Sequence, residues 1–430
     1  MKFAFYTLGC KANQFDTQAL AQFCTARGHQ VVSWQEAADV YVVNTCTVTA
    51  ESDRKSRQMV RGARRRAPEA VVGICGCFSQ VSPEAAGELG ADVICGTRDR
   101  EEFLRLLEAA AAERTPKTHV IPYTLGVPFE ELPSGGFDGR TRALLKVQDG
   151  CDNYCTYCII PYSRGHIRSL PLSAAAREVQ KLRDEGYLEV VLTGIEISSY
   201  GRDFHDGTGL ADLLETICHA APEVRMHLGS LEPRTVTEEF CRRIAALPNL
   251  LPHFHLSLQS GCDETLRRMH RRYTTARFLE SATLLRQYFP QCGITADLIT
   301  GFPGETEEEF AETLSFLRTC IFSDMHVFPY SERPGTPAAA MTQLPRALRE
   351  QRAHEAAAVA AELRQTFLLT QIGREEPVLF EADRNGVQQG HTTNYLPISV
   401  LHTESLKGRI LPVRITDVEG DQLTGELKPM

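Results

Sequence analysis

The sequence lacks any long unbroken apolar run. Its longest apolar stretches fall far short of a membrane span and are broken by charges. A helical membrane anchor is therefore excluded from the expectations. The start, Met1-Lys2-Phe3-Ala4-Phe5-Tyr6, lacks the long apolar region and small-residue cleavage site of an export leader, so a cytoplasmic protein is expected. An excess of positive charge is missing too. The net charge is −9 over 430 residues, which argues against unselective binding of nucleic acid and leaves room for a local basic patch only. Composition is otherwise that of an ordinary globular protein, 43% hydrophobic and 23% charged, long enough for two or three domains.

Cysteine is plentiful, with 14 in a chain expected in a reducing compartment, where disulfides are disfavoured. Metal or redox use is the leading explanation for some of them. Residues 151–158 read C-D-N-Y-C-T-Y-C, which places Cys151, Cys155 and Cys158 directly after the mostly apolar segment 143–147 and Asp149-Gly150. A structural zinc site draws four ligands, usually as two pairs, and no second close pair with that spacing follows. Three thiolates can instead hold three irons of a [4Fe–4S] cluster and leave the fourth open to chelate a small molecule. The triplet resembles the signature of radical S-adenosylmethionine (SAM) enzymes. The competing readings are a zinc site or three unrelated buried thiols.

Residues 1–125 read as a small parallel α/β domain, with strands at 2–7, 40–44, 71–75 and 92–95 and helices at 16–27, 52–67 and 101–113. Three strands end in cysteine-bearing turns: Cys10 in T-L-G-C-K-A-N-Q, Cys46 in V-N-T-C-T-V and Cys77 in C-G-C-F-S-Q. The carboxyl ends of parallel strands share one sheet edge, where open α/β sheets bind ligands. Cysteines distant in sequence can therefore meet, with Asn13, Gln14, Asn44, Thr45 and Gln80 placed to orient them. A second cluster on Cys10, Cys46 and Cys77 is expected, with Cys75 as the alternative to Cys77; Cys24 and Cys95 read as structural. Buried free thiols are the competing reading. The second helix carries Arg54, Lys55, Arg57, Arg61, Arg64, Arg65 and Arg66, which suits either a solvated face or a phosphate backbone. Residues 115–140 contain several Pro and Gly and show no strong period, so they read as a linker, with the domain boundary set so that 126–140 is the linker proper.

Residues 141–371 alternate strand and helix six times, which predicts an open TIM-like (β/α)6 barrel with its chemistry at the strand ends. Thr193 and Gly194 follow the second strand, Glu232 the third and Gln259 the fourth. Asp297 lies in the fifth, and Arg333 follows the sixth. These six are the candidates for a SAM pocket. Residues 372–430 show short strands with two-residue alternation at 377–381, 395–400, 408–416 and 422–427, punctuated by glycine. They read as a small antiparallel β-barrel of a kind that often binds nucleic acid.

Together these motifs resemble the methylthiotransferase family of radical-SAM enzymes. The resemblance rests on T-L-G-C-K-A-N-Q (7–14), N-T-C (44–46), G-C-F-S-Q (76–80), C-D-N-Y-C-T-Y-C-I-I-P (151–161), Y-S-R-G (162–165), L-S-L-Q-S-G (256–261), R-R-Y-T (271–274) and D-L-I-T-G-F-P-G-E-T (297–306). The C-terminal barrel, with G-H-T-T-N-Y (390–395), looks like a TRAM domain, an RNA-binding module. The resemblance implies two [4Fe–4S] clusters. One, on Cys151, Cys155 and Cys158, cleaves SAM; the auxiliary one, on Cys10, Cys46 and Cys77, carries the sulfur to be inserted. It implies tRNA as substrate, a reductant such as a flavodoxin or ferredoxin, and a sulfur donor.

Three substrates compete within the family: isopentenyl-adenosine in tRNA, threonylcarbamoyl-adenosine in tRNA, and an aspartate of a ribosomal protein. The lysine after the first cysteine and T-G-I-E-I-S-S-Y-G (193–201) look most like the threonylcarbamoyl branch, in which C2 of the adenosine next to the anticodon is modified. One departure stands out: where the family usually ends a run in Ser-Arg, Ser169 is followed by Leu170. Outside the family, an iron–sulfur electron carrier or redox sensor is the competing class.

Overall fold

Three sheet systems follow one another along the chain. The computed structural model describes residues 1–135 and 141–428. The first system is built from β1 (Lys2–Thr7), α1 (Lys11–Ala26), β2 (Gln30–Val32), β3 (Val40–Thr45), α2 (Ala50–Arg66), β4 (Val71–Gly76), α3 (Cys77–Val81), α4 (Pro83–Gly87), β5 (Val93–Cys95), α5 (Arg100–Glu113) and β6 (Lys117–His119). Its six strands run in the order β2-β1-β3-β4-β5-β6, with every pairing parallel. Valine-rich strands such as V-Y-V-V-N-T are buried on both faces, as a sheet covered by helices on each side requires. One face packs Phe3, Val42, Cys75 and Cys95 against α1 and α5; the other packs Ala4, Tyr41, Val43 and Ile74 with Val60 of α2.

Two strands escaped the sequence reading. β2 is only three residues long, and β6 lies inside the stretch read as featureless. Residues 126–135 have no regular structure but are packed. Leu132 is buried with Phe15 and Ala19, and the Gln22 amide donates to the Gly135 carbonyl at 2.9 Å. The rest of that expected linker, residues 136–140, lies outside the described residues.

The central system comprises β7 (Arg142–Lys146), β8 (Gln148–Asp149), α6 (Ile160–Arg164), β9 (Arg168–Ser169), α7 (Leu172–Asp184), β10 (Glu189–Thr193), α8 (Leu210–Ala220), β11 (Arg225–His227), β12 (Ser230–Leu231), α9 (Glu238–Ala245), β13 (His253–Gln259), α10 (Asp263–Arg268), α11 (Thr275–Tyr288), β14 (Gly293–Thr300), α12 (Glu307–Thr319), β15 (Asp324–Pro329) and α13 (Arg346–Leu369). The six strand–helix units are present, but their strands form two parallel sheets, β11-β10-β7 and β12-β13-β14-β15. The expected third strand breaks into β11 and β12 around Gly229. There the chain passes so close to β10 that a Cβ would lie 2.8 Å from the Leu192 carbonyl oxygen. A single large core of residues from these strands and helices holds the two sheets together.

Five strands close the C-terminal barrel: β16 (Glu375–Arg384), β17 (Val387–His391), β18 (Pro397–Leu401), β19 (Ile410–Glu419) and β20 (Gln422–Leu427), in the order β16-β17-β18-β20-β19. β17 was not expected, because Val-Gln-Gln-Gly-His has little apolar alternation. Phe367 and Leu368, at the end of α13, enter this barrel's core.

Candidate functional site

The register of the first sheet gathers the spread cysteines. Thr7 pairs with Asn44, and Thr45 with Gly76, so β1, β3 and β4 end level with one another. Two of the following turns are made by Gly9 and Gly76, both at φ +102°, a conformation that side chains rarely adopt. A Cβ at Gly9 would sit 3.0 Å from the Cys46 sulfur, so Cys46 lies directly against the Cys10 turn. Cys10 is the N-cap of α1 and caps nothing with its side chain; Cys77 is the first residue of α3. By contrast α2, α9, α11 and α12 each begin on a threonine whose hydroxyl accepts a helix N–H. An uncapped helix start favours a thiolate or another anion.

The three thiols share one electrostatic environment. Cys10 and Cys46 both raise the Cys77 pKa, and Cys10 raises that of Cys46. Burial is the larger cause: it pushes Cys77 up to about 11, while the Arg164 guanidinium opposes it, in part by hydrogen bonding. Cys75 instead sits in the strand core beside Phe3, Val42 and Val71, and burial takes it to about 12. Asn13 pins the arrangement. Its amide donates to the carbonyls of Leu8 (2.8 Å) and Thr45 (3.0 Å), and its oxygen accepts from Arg164 (2.5 Å). Asn44 donates to the Asn13 carbonyl, and Thr45 to that of Cys75. Gln80 turns away, toward Thr97 and the Ile121 carbonyl, and Gln14 is exposed.

Cys151, Cys155 and Cys158 lie on one loop between β8 and α6, which turns through Tyr154 at φ +47°. Burial pushes Cys151 and Cys158 up to about 12, and each is raised further by its triplet neighbours. Arg271 donates to the Cys155 sulfur at 3.3 Å and stacks on Tyr273. Cys158 also feels Cys77, so the two triads are neighbours. The Arg164 side chain, fully buried, spans them. It donates both to Asp149, just before the Cys151 loop, at 3.0 Å, and to Asn13 beside the Cys10 turn. Asp16 completes the junction, accepting from Lys146 (2.5 Å), Arg100 (2.9 Å) and Arg164 (3.3 Å). These cations hold the Asp16 carboxyl below its usual range against the opposing effect of burial.

Do these residues fit iron–sulfur clusters and SAM? Among the described residues no three His, Cys, Asp or Glu side chains converge as the ligands of a single ion would. Thiols that bind separate irons of a cube need not converge, and soft thiolate sets with charged donors beside them suit such a group. Next to Cys151, Glu196 has a buried Oε2 without a hydrogen bond, and burial together with Glu232 raises its pKa. An orphaned carboxylate oxygen is what an ammonium group such as that of SAM would satisfy.

The six SAM-pocket candidates scatter over this region. Thr193, Gly194 and Asp297 line one cavity of about 790 Å³. Glu232 lies outside that lining, in a bidentate pair with Arg234 at 2.9 and 3.0 Å, close to Glu196. Gln259 sits at the end of β13 in a left-handed conformation, φ +66°, beside a register shift. Arg333 points away from the barrel mouth: it donates to Thr47 and reaches Asp53 at 4.0 Å, beside Cys46.

The cavity contains what the sequence reading missed. Its lining joins Gly9, Cys10 and Lys11 to His227, His253, His255 and His326 of the barrel, and to His391 and Tyr395 of the C-terminal barrel. His227 bonds His253 at 2.8 Å, and His255 pairs with Asp297 at 3.2 Å. Tyr395 stacks among His227 (4.3 Å), His391 (4.8 Å) and His253 (5.0 Å), and Arg142 donates to its hydroxyl at 2.6 Å. G-H-T-T-N-Y, read as part of an RNA-binding barrel, therefore turns inward here. The available signal was a histidine on several barrel strands, in M-H-L, H-F-H and M-H-V.

Comparison with known proteins agrees with this architecture. Residues 145–317 match the model of the Radical SAM superfamily, which carries a [4Fe–4S] cluster and SAM, and residues 2–96 match "Uncharacterized protein family UPF0004". The radical S-adenosylmethionine methyltransferase TsrM of Kitasatospora setae shares the fold with a TM-score of 0.55 at 17% identity, over 79% of this chain and 75% of that one. The threonylcarbamoyladenosine tRNA methylthiotransferase MtaB of Bacillus subtilis is 38% identical over 96% of this chain and 93% of its own length. MtaB of Aquifex aeolicus is 39% identical over 87% and 92%. The tRNA-2-methylthio-N(6)-dimethylallyladenosine synthase of Moorella thermoacetica is 34% identical over 99% and 98%. The chain belongs to the radical-SAM methylthiotransferase family.

Proposed function

We propose that this enzyme methylthiolates tRNA at C2 of N6-threonylcarbamoyladenosine next to the anticodon. The observation that carries the choice of base is the lining of the 790 Å³ cavity: Lys11, five histidines, Asp297 and Asp324, with few large apolar side chains. The ammonium and imidazole donors suit the carboxylate and amide groups of a threonylcarbamoyl substituent, which an isopentenyl substituent lacks. The relatives at 38% and 39% identity bear the threonylcarbamoyl name, and the dimethylallyl synthase stands at 34%.

Cys151, Cys155 and Cys158 hold the SAM-cleaving [4Fe–4S] cluster in this reading, and Cys10, Cys46 and Cys77 hold an auxiliary one. When bound, the first supplies the electron that cleaves SAM and the second the sulfur that is inserted. Arg271 stabilises the Cys155 thiolate through its hydrogen bond. Glu196 and Glu232 receive the SAM ammonium, with Thr193 and Gly194 forming the adjoining wall. Arg164 steadies Cys77 and ties its turn to the loop of Cys151. On the outer face of α2, Arg54, Arg57, Arg61, Arg64 and Arg65 line a groove of about 540 Å³ suited to a phosphate backbone. A flavodoxin or ferredoxin as reductant and a separate sulfur donor complete the partners.

Nucleoside mass spectrometry on tRNA from cells lacking the gene tests the reading. Loss of 2-methylthio-threonylcarbamoyladenosine is expected. Loss of the isopentenyl derivative instead, or of a modified ribosomal-protein aspartate, overturns the substrate. Failure of the reduced protein to form 5′-deoxyadenosine would favour an electron carrier.

A further inference from the structure

Among the described residues, one charged side chain of the cavity lining has no direct partner. Asp297 is paired with His255 at 3.2 Å and Asp324 with Arg364 at 2.7 Å. Just behind the lining, Glu381 and Tyr395 hold Arg142. Among the described residues, the Lys11 ammonium has neither an ion pair nor a hydrogen bond. It stands on the first turn of α1, which has no acidic residue and no side-chain cap, so the helix end adds to the positive field. In the same lining, His227 is 1% exposed and its Nδ1 makes no hydrogen bond, with the Glu189 carboxyl facing it at 3.6 Å. An ammonium without a counter-ion, facing a cavity beside a polar atom without a hydrogen bond, is placed to receive an anion with further polar groups.

We propose that Lys11 is a specificity-determining residue that pairs with the carboxylate on the N6 substituent of the substrate adenosine. The proposal rests on the substrate reading above and deepens it. SAM also carries a carboxylate, but its charges have nearer partners around Cys151 and Cys155, where Glu196, Glu232, Arg234 and Arg271 act on one another. Lys11 instead acts on His227 and His253, toward the C-terminal barrel. An N6 substituent reaching that way would leave C2 of the base nearer the cysteine triads.

The test is binding by the full-length protein of an anticodon stem-loop RNA carrying threonylcarbamoyladenosine, against the same RNA with its carboxylate as the methyl ester. Wild type should prefer the acid by roughly tenfold to a hundredfold, the range of one charge-assisted hydrogen bond. Lys11→Gln should bind both RNAs with the affinity that wild type shows for the ester, and Lys11→Arg should restore the preference. Full wild-type preference in Lys11→Gln overturns the role of Lys11 and leaves the substrate reading standing. Weakened SAM binding in Lys11→Gln with the RNA preference intact overturns it too, in favour of SAM as the source of the carboxylate. A wild type that binds the acid RNA no better than an unmodified stem-loop overturns the substrate reading itself.

Discussion

The two cysteine triads are organised in opposite ways. Cys151, Cys155 and Cys158 occupy one loop, so eight consecutive residues bring them together. Cys10, Cys46 and Cys77 come from three strand ends and meet only because β1, β3 and β4 finish in register. The first arrangement is local and should tolerate loosening of the tertiary structure. The second depends on the whole first sheet and on the junction through Arg164.

Removing single thiols should separate the triads most sharply. The reconstituted protein is expected to bind about eight irons, and Cys77→Ala to retain about four. That variant should lose methylthiolation and still form 5′-deoxyadenosine, whereas Cys151→Ala should lose both. If Cys75→Ala reproduces the Cys77→Ala result, the fourth strand's own cysteine is the ligand.

Next in size is the ion network that joins the domains. Asp16→Leu leaves Lys146, Arg100 and Arg164 buried around a missing charge and should cost about 3–5 kcal/mol in denaturant unfolding. It should lower the iron bound at the spread triad more than at the loop triad. The Asp16 and Asp149 carboxyls are held below their usual range, so their stabilisation is present above about pH 4 and is lost only as pH falls through their lowered values.

Gly76→Ala places a Cβ at φ +102° within 2.5 Å of the Asn44 amide oxygen, and should cost about 1–3 kcal/mol. Its effect on iron content should fall on the spread triad. The most gradual change comes from acid. Burial lowers the pKa of His227 and His253 well below the ordinary histidine value, so the unfolded chain binds protons that the fold excludes. Stability should fall as pH drops below about 6.5, by up to about 1.4 kcal/mol per unit for each ring. His227→Asn should remove one share of that slope in urea titrations.

What could be read in advance follows the same division. The octapeptide is legible because its geometry is local. The spread triad was legible because each cysteine follows a run such as V-Y-V-V-N-T, and parallel strands have a shared edge. The helix after Cys10 was read as starting at residue 16, since Asn13 and Gln14 hide its first turn; in fact Lys11 opens it. The split of the barrel at Gly229 and the inward turn of Tyr395 are tertiary facts, fixed by close approach to β10 and to His227. Lys11 could be read as a neighbour of Cys10, but not as an ion left alone, because solitude is a property of everything packed around it.

Tyr395 gives the C-terminal barrel a second consequence. Its ring packs against His227 and His253, with its hydroxyl held by Arg142, so a module expected to grip RNA is also placed to act as a stopper. Were the radical of the proposed reaction to form in this lumen, a stray hydrogen donor would quench it, and an open floor would admit solvent and small thiols. Deleting residues 372–430 should therefore make the enzyme wasteful as well as weak in RNA binding, with more 5′-deoxyadenosine released per methylthio group installed.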